Sequence, residues 1–179
     1  MNKIKGIVIL SILFFSCSSD LNFNQVNDLK LEPVVVANLA TFDIQANQFV
    51  IGGVEQPAFD DLLDFNIFKD SYFNNSLTRA DFFFEINNTI ARAFEIELYL
   101  LDANSQPIYT IHFDVPAYTG VPNLVPKTET FQGANLTILK RTSKLGFAIV
   151  MSSGVPTLTA SSLGSLKLRS SATLYLVLE

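Results

Sequence analysis

The chain has 179 residues, 49% hydrophobic and 16% charged, with 12 Lys and Arg against 17 Asp and Glu for a formal net charge of −5. That balance excludes a disordered chain, and the acidic charge argues against nucleic acid or anionic lipid headgroups as partners. One Cys and one His cannot build an internal disulfide or a metal site of the usual His/Cys kind, so neither metal nor cofactor is expected.

Met1–Ser16 reads as an export leader. Lys3 and Lys5 supply a positive start, and Ile7–Phe15 forms an apolar run interrupted only by Ser11. Such a run is far shorter than the ~20 residues that span a bilayer and fits a segment removed on secretion. Ser16-Cys17 resembles the lipobox of bacterial lipoproteins, with Phe14 where that box usually carries Leu. The resemblance implies lipidation of Cys17, which becomes the new N-terminus and the anchor to the membrane. The other reading is an ordinary secretory leader followed by an unpaired Cys. Lipidation explains that Cys, and several acyl chains anchor stably at ~0.8 kcal/mol per buried methylene. Ser18 follows Cys17 where an Asp would mark inner-membrane retention in enteric lipoproteins, so the analogy points to the outer membrane. Whether the body faces the periplasm or the outside stays open.

Ser18–Glu32 is polar and without sustained periodicity, a flexible tether that reaches at most about 50 Å when extended. Residues 33–179 are expected to form one domain. Val34–Ile44 is rich in β-branched residues and reads as the first strand. Gln48–Ile51 runs into the turn signal Gly52-Gly53. In Pro57–Phe73, Phe59, Leu62 and Leu63 have the spacing of one or two helical turns, while Asp64–Phe68 fits a short edge strand. Asn74-Asn75-Ser76 reads as a loop.

From Thr78 the alternation sharpens. Ala80, Phe82, Phe84 and Ile86 share one face; so do Phe94, Ile96, Leu98 and Leu100, and then Tyr109, Ile111, Phe113 and Val115. Short polar turns separate these three strands, which predicts an antiparallel meander with one buried and one wet face. Ala117–Pro126 reads as a loop, Lys127–Gln132 as a short strand and Gly133–Thr142 as a short helix. Leu145–Met151 alternates again, Ser152–Ser165 is a Ser/Gly/Thr-rich loop, and Leu166–Glu179 is a long strand whose apolar face is broken only by Ser170. The sum is an all-β, antiparallel, Ig-like β-sandwich of about seven or eight strands with one or two short helices.

The run NNTIARAFEIELYLLDANSQPIYTIHF, a strand and an Asp-containing turn leading to a second strand, resembles small lipoproteins of the Bacteroidota. It is more weakly similar to Ig-like sandwiches of the late-embryogenesis-abundant type 2 class. The resemblance implies the fold and the compartment. It carries no diagnostic motif, so no activity or functional residue comes with it.

Candidate chemistry is sparse. Any His-based triad would have to use His112, and neither a Gly-x-Ser-x-Gly elbow nor a Ser-x-x-Lys at a helix start is present. Ser143 and Lys144 would point to opposite faces of a strand, and Ser165 and Lys167 lack an orienting group. Glu95 and Glu97 share a face without an apolar pocket to tune them. Asn-x-Ser/Thr triplets at Asn74, Asn87 and Asn135 match a eukaryotic glycosylation pattern that a lipobox makes irrelevant. The best place for a site is Asp60, Asp61 and Asp64 among Phe65, Phe68 and Tyr72, as a ligand rim for a cation or a sugar. The competing reading is an amphipathic segment that closes one end of the sandwich. The functional expectation is a non-enzymatic cell-envelope lipoprotein, a binding or structural accessory. Its partners would be the membrane through Cys17 and an envelope protein or a glycan, the latter within an outer-membrane uptake system.

Overall fold

Sustained alternation becomes strand throughout the computed structural model, which describes residues 30–178 except Asn66 and Pro122. The leader, Cys17 and most of the tether lie outside the described residues. Glu32–Leu178 form one compact unit, an antiparallel β-sandwich. One sheet runs β1 (Val34–Gln45), β10 (Ser165–Leu176), β5 (Leu77–Asn88), β8 (Leu124–Gln132). The other runs β4 (Ala58–Asp64), β9 (Lys144–Met151), β6 (Phe94–Leu101), β7 (Pro107–Val115). A small hairpin, β2 (Val50–Ile51) and β3 (Val54–Glu55), turns through Gly52 and Gly53 at φ 60 and 82. Two successive left-handed residues make the turn whose twist suits a two-residue hairpin.

The pairings are nested in the sequence. β6 pairs with β7, β5 with β8, β4 with β9 and β1 with β10. A long antiparallel ribbon has thus been rolled so that successive pairs fall on alternate sheets, which is a jelly roll. This strand order replaces the expected Ig-like arrangement, and it breaks up the expected meander. The β6–β7 hairpin forms, but β5 lies in the opposite sheet, between β10 and β8. The polar residues after β5 are an arch between layers and not a hairpin turn. Asn88, the last residue of β5, is fully buried where the arch begins, and its side-chain amide donates to the carbonyls of Arg92 and Pro116, both at 2.8 Å.

Each alternating apolar set lines the space between the sheets. Phe82, Phe84 and Ile86 of β5 are at most 1% exposed, and Leu98 and Leu100 face them from the second sheet, as buried. Ser170, the one polar break in the inner face of β10, stays inside because it has work there. Its hydroxyl donates to the Ala40 carbonyl at 2.6 Å and accepts from the Ala40 N–H at 3.0 Å, where β1 bulges between Asn38 and Thr41. The bulge leaves a buried peptide group without a ladder partner, and the Ser170 hydroxyl satisfies both its halves.

Helix α1 (Ser71–Ser76), a 3-10 turn at Ile67–Lys69 and helix α2 (Ala134–Lys140) lie beyond the strands at one end. Asp70 caps α1 by accepting from the Tyr72 N–H. At the other end Phe49 is fully buried, with its ring centroid 4.9 Å from Phe59 and 5.1 Å from Phe94. Three local expectations change. The edge strand over Asp64–Phe68 does not form, since β4 ends at Asp64 and a 3-10 turn follows at Ile67–Lys69. Phe59–Leu63 is strand, because Phe59 and Leu63 share a face at strand spacing as well as at helical spacing. Leu62 instead lies opposite Gly146 across the pair. Asn74-Asn75-Ser76 is not a loop but the last turn of α1, which passes directly into β5.

Candidate functional site

A sandwich has two lateral openings, and here they differ. Where β7 faces β8, long polar side chains button the sheets together. The Tyr109 hydroxyl donates to Glu129 at 3.2 Å, and its ring packs on Phe131 at 5.3 Å. Lys127 Nζ donates to the His112 carbonyl at 2.9 Å and lies over the Phe113 ring. Burial, then the nearby Glu129 charge, raises the Tyr109 pKa above its usual value.

Where β1 faces β4 no such closure forms among the described residues. A groove of about 260 Å³ opens between the edge strands. Thr41, Phe42 and Ile44 form one wall, Phe59, Asp60, Asp61 and Leu63 the other, and Phe147 and Ile149 the floor. Phe42 meets Phe147 edge-on at 6.0 Å. Phe147 and Ile149 are 6% and 3% exposed, so the apolar floor belongs to the core, and the groove is the place where the core meets solvent.

The expected rim is therefore divided. Asp60, Asp61 and Asp64 all lie on β4, the first two at the lip of this groove. None of the three pairs with a cation among the described residues. Phe65 packs inward, edge-on to Phe68 at 5.5 Å and to Phe82 at 6.3 Å, and Phe68 is 4% exposed. Tyr72 stays half-exposed on α1, against Phe73. The aromatic residues of the rim thus close an end of the sandwich, while its acids border an opening built from other residues. Thr41, Phe42, Ile44, Phe147 and Ile149 were missed as site residues because their alternation reports only that they face inward, not that their edge stays open.

The remaining candidates fall apart from one another. His112 is exposed and its Nε2 lies 3.0 Å from Asp114. Lys167 pairs with Asp43 at 2.9 Å, while the Ser165 N–H donates to the Thr89 hydroxyl. Glu97 accepts from the Tyr99 hydroxyl, a bond that, followed by burial, raises the Tyr99 pKa. Among the described residues no three His, Cys, Asp or Glu side chains gather as a metal site. On the outer face of the first sheet, Glu85, Asn87, Leu124, Lys167 and Arg169 line a separate polar cleft of about 250 Å³.

Comparison by sequence finds no matching family model and no matching curated protein. By structure, the chain is similar to the VP2 subviral particle of infectious bursal disease virus at 18% identity and a TM-score of 0.43, over 80% of this chain and 32% of that one. It is also similar to a Parabacteroides distasonis protein described as a "putative secreted protein", at 12% identity and a TM-score of 0.45, over 65% of this chain and 37% of that one. Desmodium yellow mottle tymovirus matches at 18% identity and a TM-score of 0.36, over 83% of this chain and 84% of that one. The chain spans about a third of the length of the first two.

Proposed function

We propose that this chain is a non-enzymatic cell-envelope lipoprotein, held in the outer membrane by lipid on Cys17, whose sandwich is a binding or structural accessory module. The observation that carries the binding part is the unequal closure of the two sides. The β7–β8 side is sealed by Lys127, Tyr109 and Glu129, whereas the β1–β4 side exposes an apolar floor between two edge strands. Concave apolar surface with a few convergent polar groups is the usual form of a binding site. The Ser16-Cys17 junction behind a short apolar leader supports the anchor.

Photo-cross-linking in cells tests the binding reading. A benzophenone side chain replacing Leu63, at the groove, should give a discrete adduct that the same group replacing Val155, on an exposed loop, does not give. Equal labelling from both positions, or none, would remove the groove as the docking site. Protease treatment of intact and lysed cells reports the side of the membrane, and loss of palmitate incorporation in Cys17→Ala reports the anchor.

The polar cleft favours a second reading, a surface glycan-binding accessory protein of an uptake system. Asn87 and Arg169 make no side-chain hydrogen bond among the described residues, and with Glu85 they offer donors and an acceptor to sugar hydroxyls. Under that reading Arg169→Ala abolishes retention on a polysaccharide column while the fold is kept.

A further inference from the structure

The groove has a backbone wall as well as a side-chain floor. The Ala46 N–H donates to the Gly164 carbonyl, so by the two-residue alternation of an antiparallel edge, Ile44 and Phe42 point their peptide groups at β10. Thr41 and Asp43 then turn theirs towards the opening. Gln45, next in that series, has its N–H taken by the Gln48 side chain at 2.7 Å. On the opposite edge, Met151 donates to the Pro57 carbonyl and Phe65 donates to the Ser143 carbonyl. These odd-numbered positions face β9, which directs Leu62 outward, and Asp61 accepts its N–H at 2.8 Å. The β4 edge is thus blocked at its middle, while on β1 the outward peptide groups of Thr41 and Asp43 have no partner among the described residues.

We infer that the groove takes an extended peptide segment that adds to the free edge of β1 and carries Lys or Arg beside an apolar side chain. This rests on the groove being the docking site and specifies what docks there. Strand addition draws affinity from backbone hydrogen bonds and specificity from alternate side chains. The inward side chains of the added strand face the groove, where an apolar one covers Phe42 and Phe147. The flanking inward positions reach across to β4, where Asp61, on the face of Phe59 and Leu63, pairs with no cation among the described residues, while Asp60, on the other face with Leu62, adds its charge from behind the lip. Sheets in a sandwich lie about 10 Å apart, within reach of a lysine stem lying over apolar surface. Charge complementarity selects the class: an anionic segment meets uncompensated carboxylates at the lip, whereas a basic one neutralises them.

Anisotropy of a labelled peptide tests this with the full-length chain in nonionic detergent, against detergent alone. The probe is Thr-Lys-Thr-Val-Thr-Lys-Thr, which places Lys, Val and Lys on one face. It should bind, weaken with salt, and lose up to about five-fold in affinity to the Asp60→Asn/Asp61→Asn variant, the size of one exposed ion pair. Asn keeps an acceptor for the Leu62 N–H, so the edge itself is preserved. A peptide with Glu for both Lys should not bind, and one with Ser for Val should bind weakly. Equal binding of the Lys and Glu peptides, or an unchanged affinity in the double variant, would overturn the proposal. A cross-link at position 63 without binding of the Lys peptide would reject the basic segment and leave the groove as the docking site. Absence of both would reject both.

Discussion

Arg92 offers the sharpest test of how this sandwich holds the end that Phe49 fills. It sits in the arch between β5 and β6 and is only 4% exposed. Its guanidinium donates to Glu55 at 2.6 Å, to the Ser152 carbonyl at 3.1 Å and to the Pro156 carbonyl at 3.3 Å. Glu55 also accepts the Leu158 N–H at 2.6 Å. One ion pair thereby ties the β2–β3 hairpin, the inter-sheet arch and the loop before β10. Arg92→Met keeps the stem and removes every donor. Removing one partner of a buried pair costs about 3–5 kcal/mol. The Glu55 side chain is 23% exposed and can recover water, so the lower end, about 3 kcal/mol, applies. With a urea slope of about 2 kcal/mol per molar, the unfolding midpoint followed by circular dichroism should fall by about 1.5 M. Glu55→Gln keeps an acceptor for Leu158 and Arg92, so it should cost less, about 1 kcal/mol. The two changes should be strongly non-additive. A midpoint shift under about 0.3 M for Arg92→Met, or simple additivity, would refute the latch.

Other perturbations reach different parts of the same frame. Ser170→Ala strands the Ala40 peptide group inside the sheet and should lower stability by about 1–3 kcal/mol in urea melts. Gly164→Ala should be far worse, because its φ is +104 and a Cβ would lie 2.3 Å from the Thr89 carbonyl oxygen. Gly154→Ala is the control, since its Cβ would come no nearer than 3.5 Å, to Arg92, and thermal melts should show it close to wild type. Asp81 feels burial, which raises its pKa, but hydrogen bonds from Arg79 and Thr130 outweigh that and hold it below the ordinary 3.8. A depressed carboxyl pKa stabilises the fold above the unfolded value and loses that contribution as pH falls through the folded one. The stability gap between the wild type and Asp81→Asn should therefore be full at neutral pH and close below pH 3.8. It should not exceed about 1 kcal/mol, as the pair is partly exposed.

Strand identity was legible where alternation ran long, and partner identity was not. Ala80–Ile86 and Phe94–Leu100 each announce a half-buried strand, yet nothing in either says whether the next strand lies beside it or across the core. A hairpin and an inter-sheet arch both need a short polar link. What separates them here is burial of Asn88 and Arg92, polar residues whose bonds are visible only after folding. Phe59–Leu63 was ambiguous for a simpler reason: five residues hold too few repeats to separate a period of two from one of 3.6. The acids of the candidate rim were found because unpaired charge beside aromatics is conspicuous. Their true neighbours, Phe42 and Phe147, are 105 positions apart in the numbering of the chain, and only the nesting of β1–β10 around β4–β9 brings them together.

The nesting also determines which strand edges stay open. Rolling four strand pairs leaves β1 and β4 at one side and β7 and β8 at the other, and exposed strand edges invite unwanted pairing. The β7–β8 side answers with cross-sheet polar bonds. The β1–β4 side answers only in part, with Asp61 on the Leu62 N–H and Gln48 on the Gln45 N–H. Protection against aggregation alone would be served by lysines on that edge, or by the same bonds used opposite. Instead the lip carries Asp60 and Asp61, which repel an acidic copy of this chain at net charge −5 and leave a basic segment unopposed. An edge that repels its own kind while keeping Thr41 and Asp43 open among the described residues is selective in its exposure, as the proposed docking role requires and an unfinished core would not.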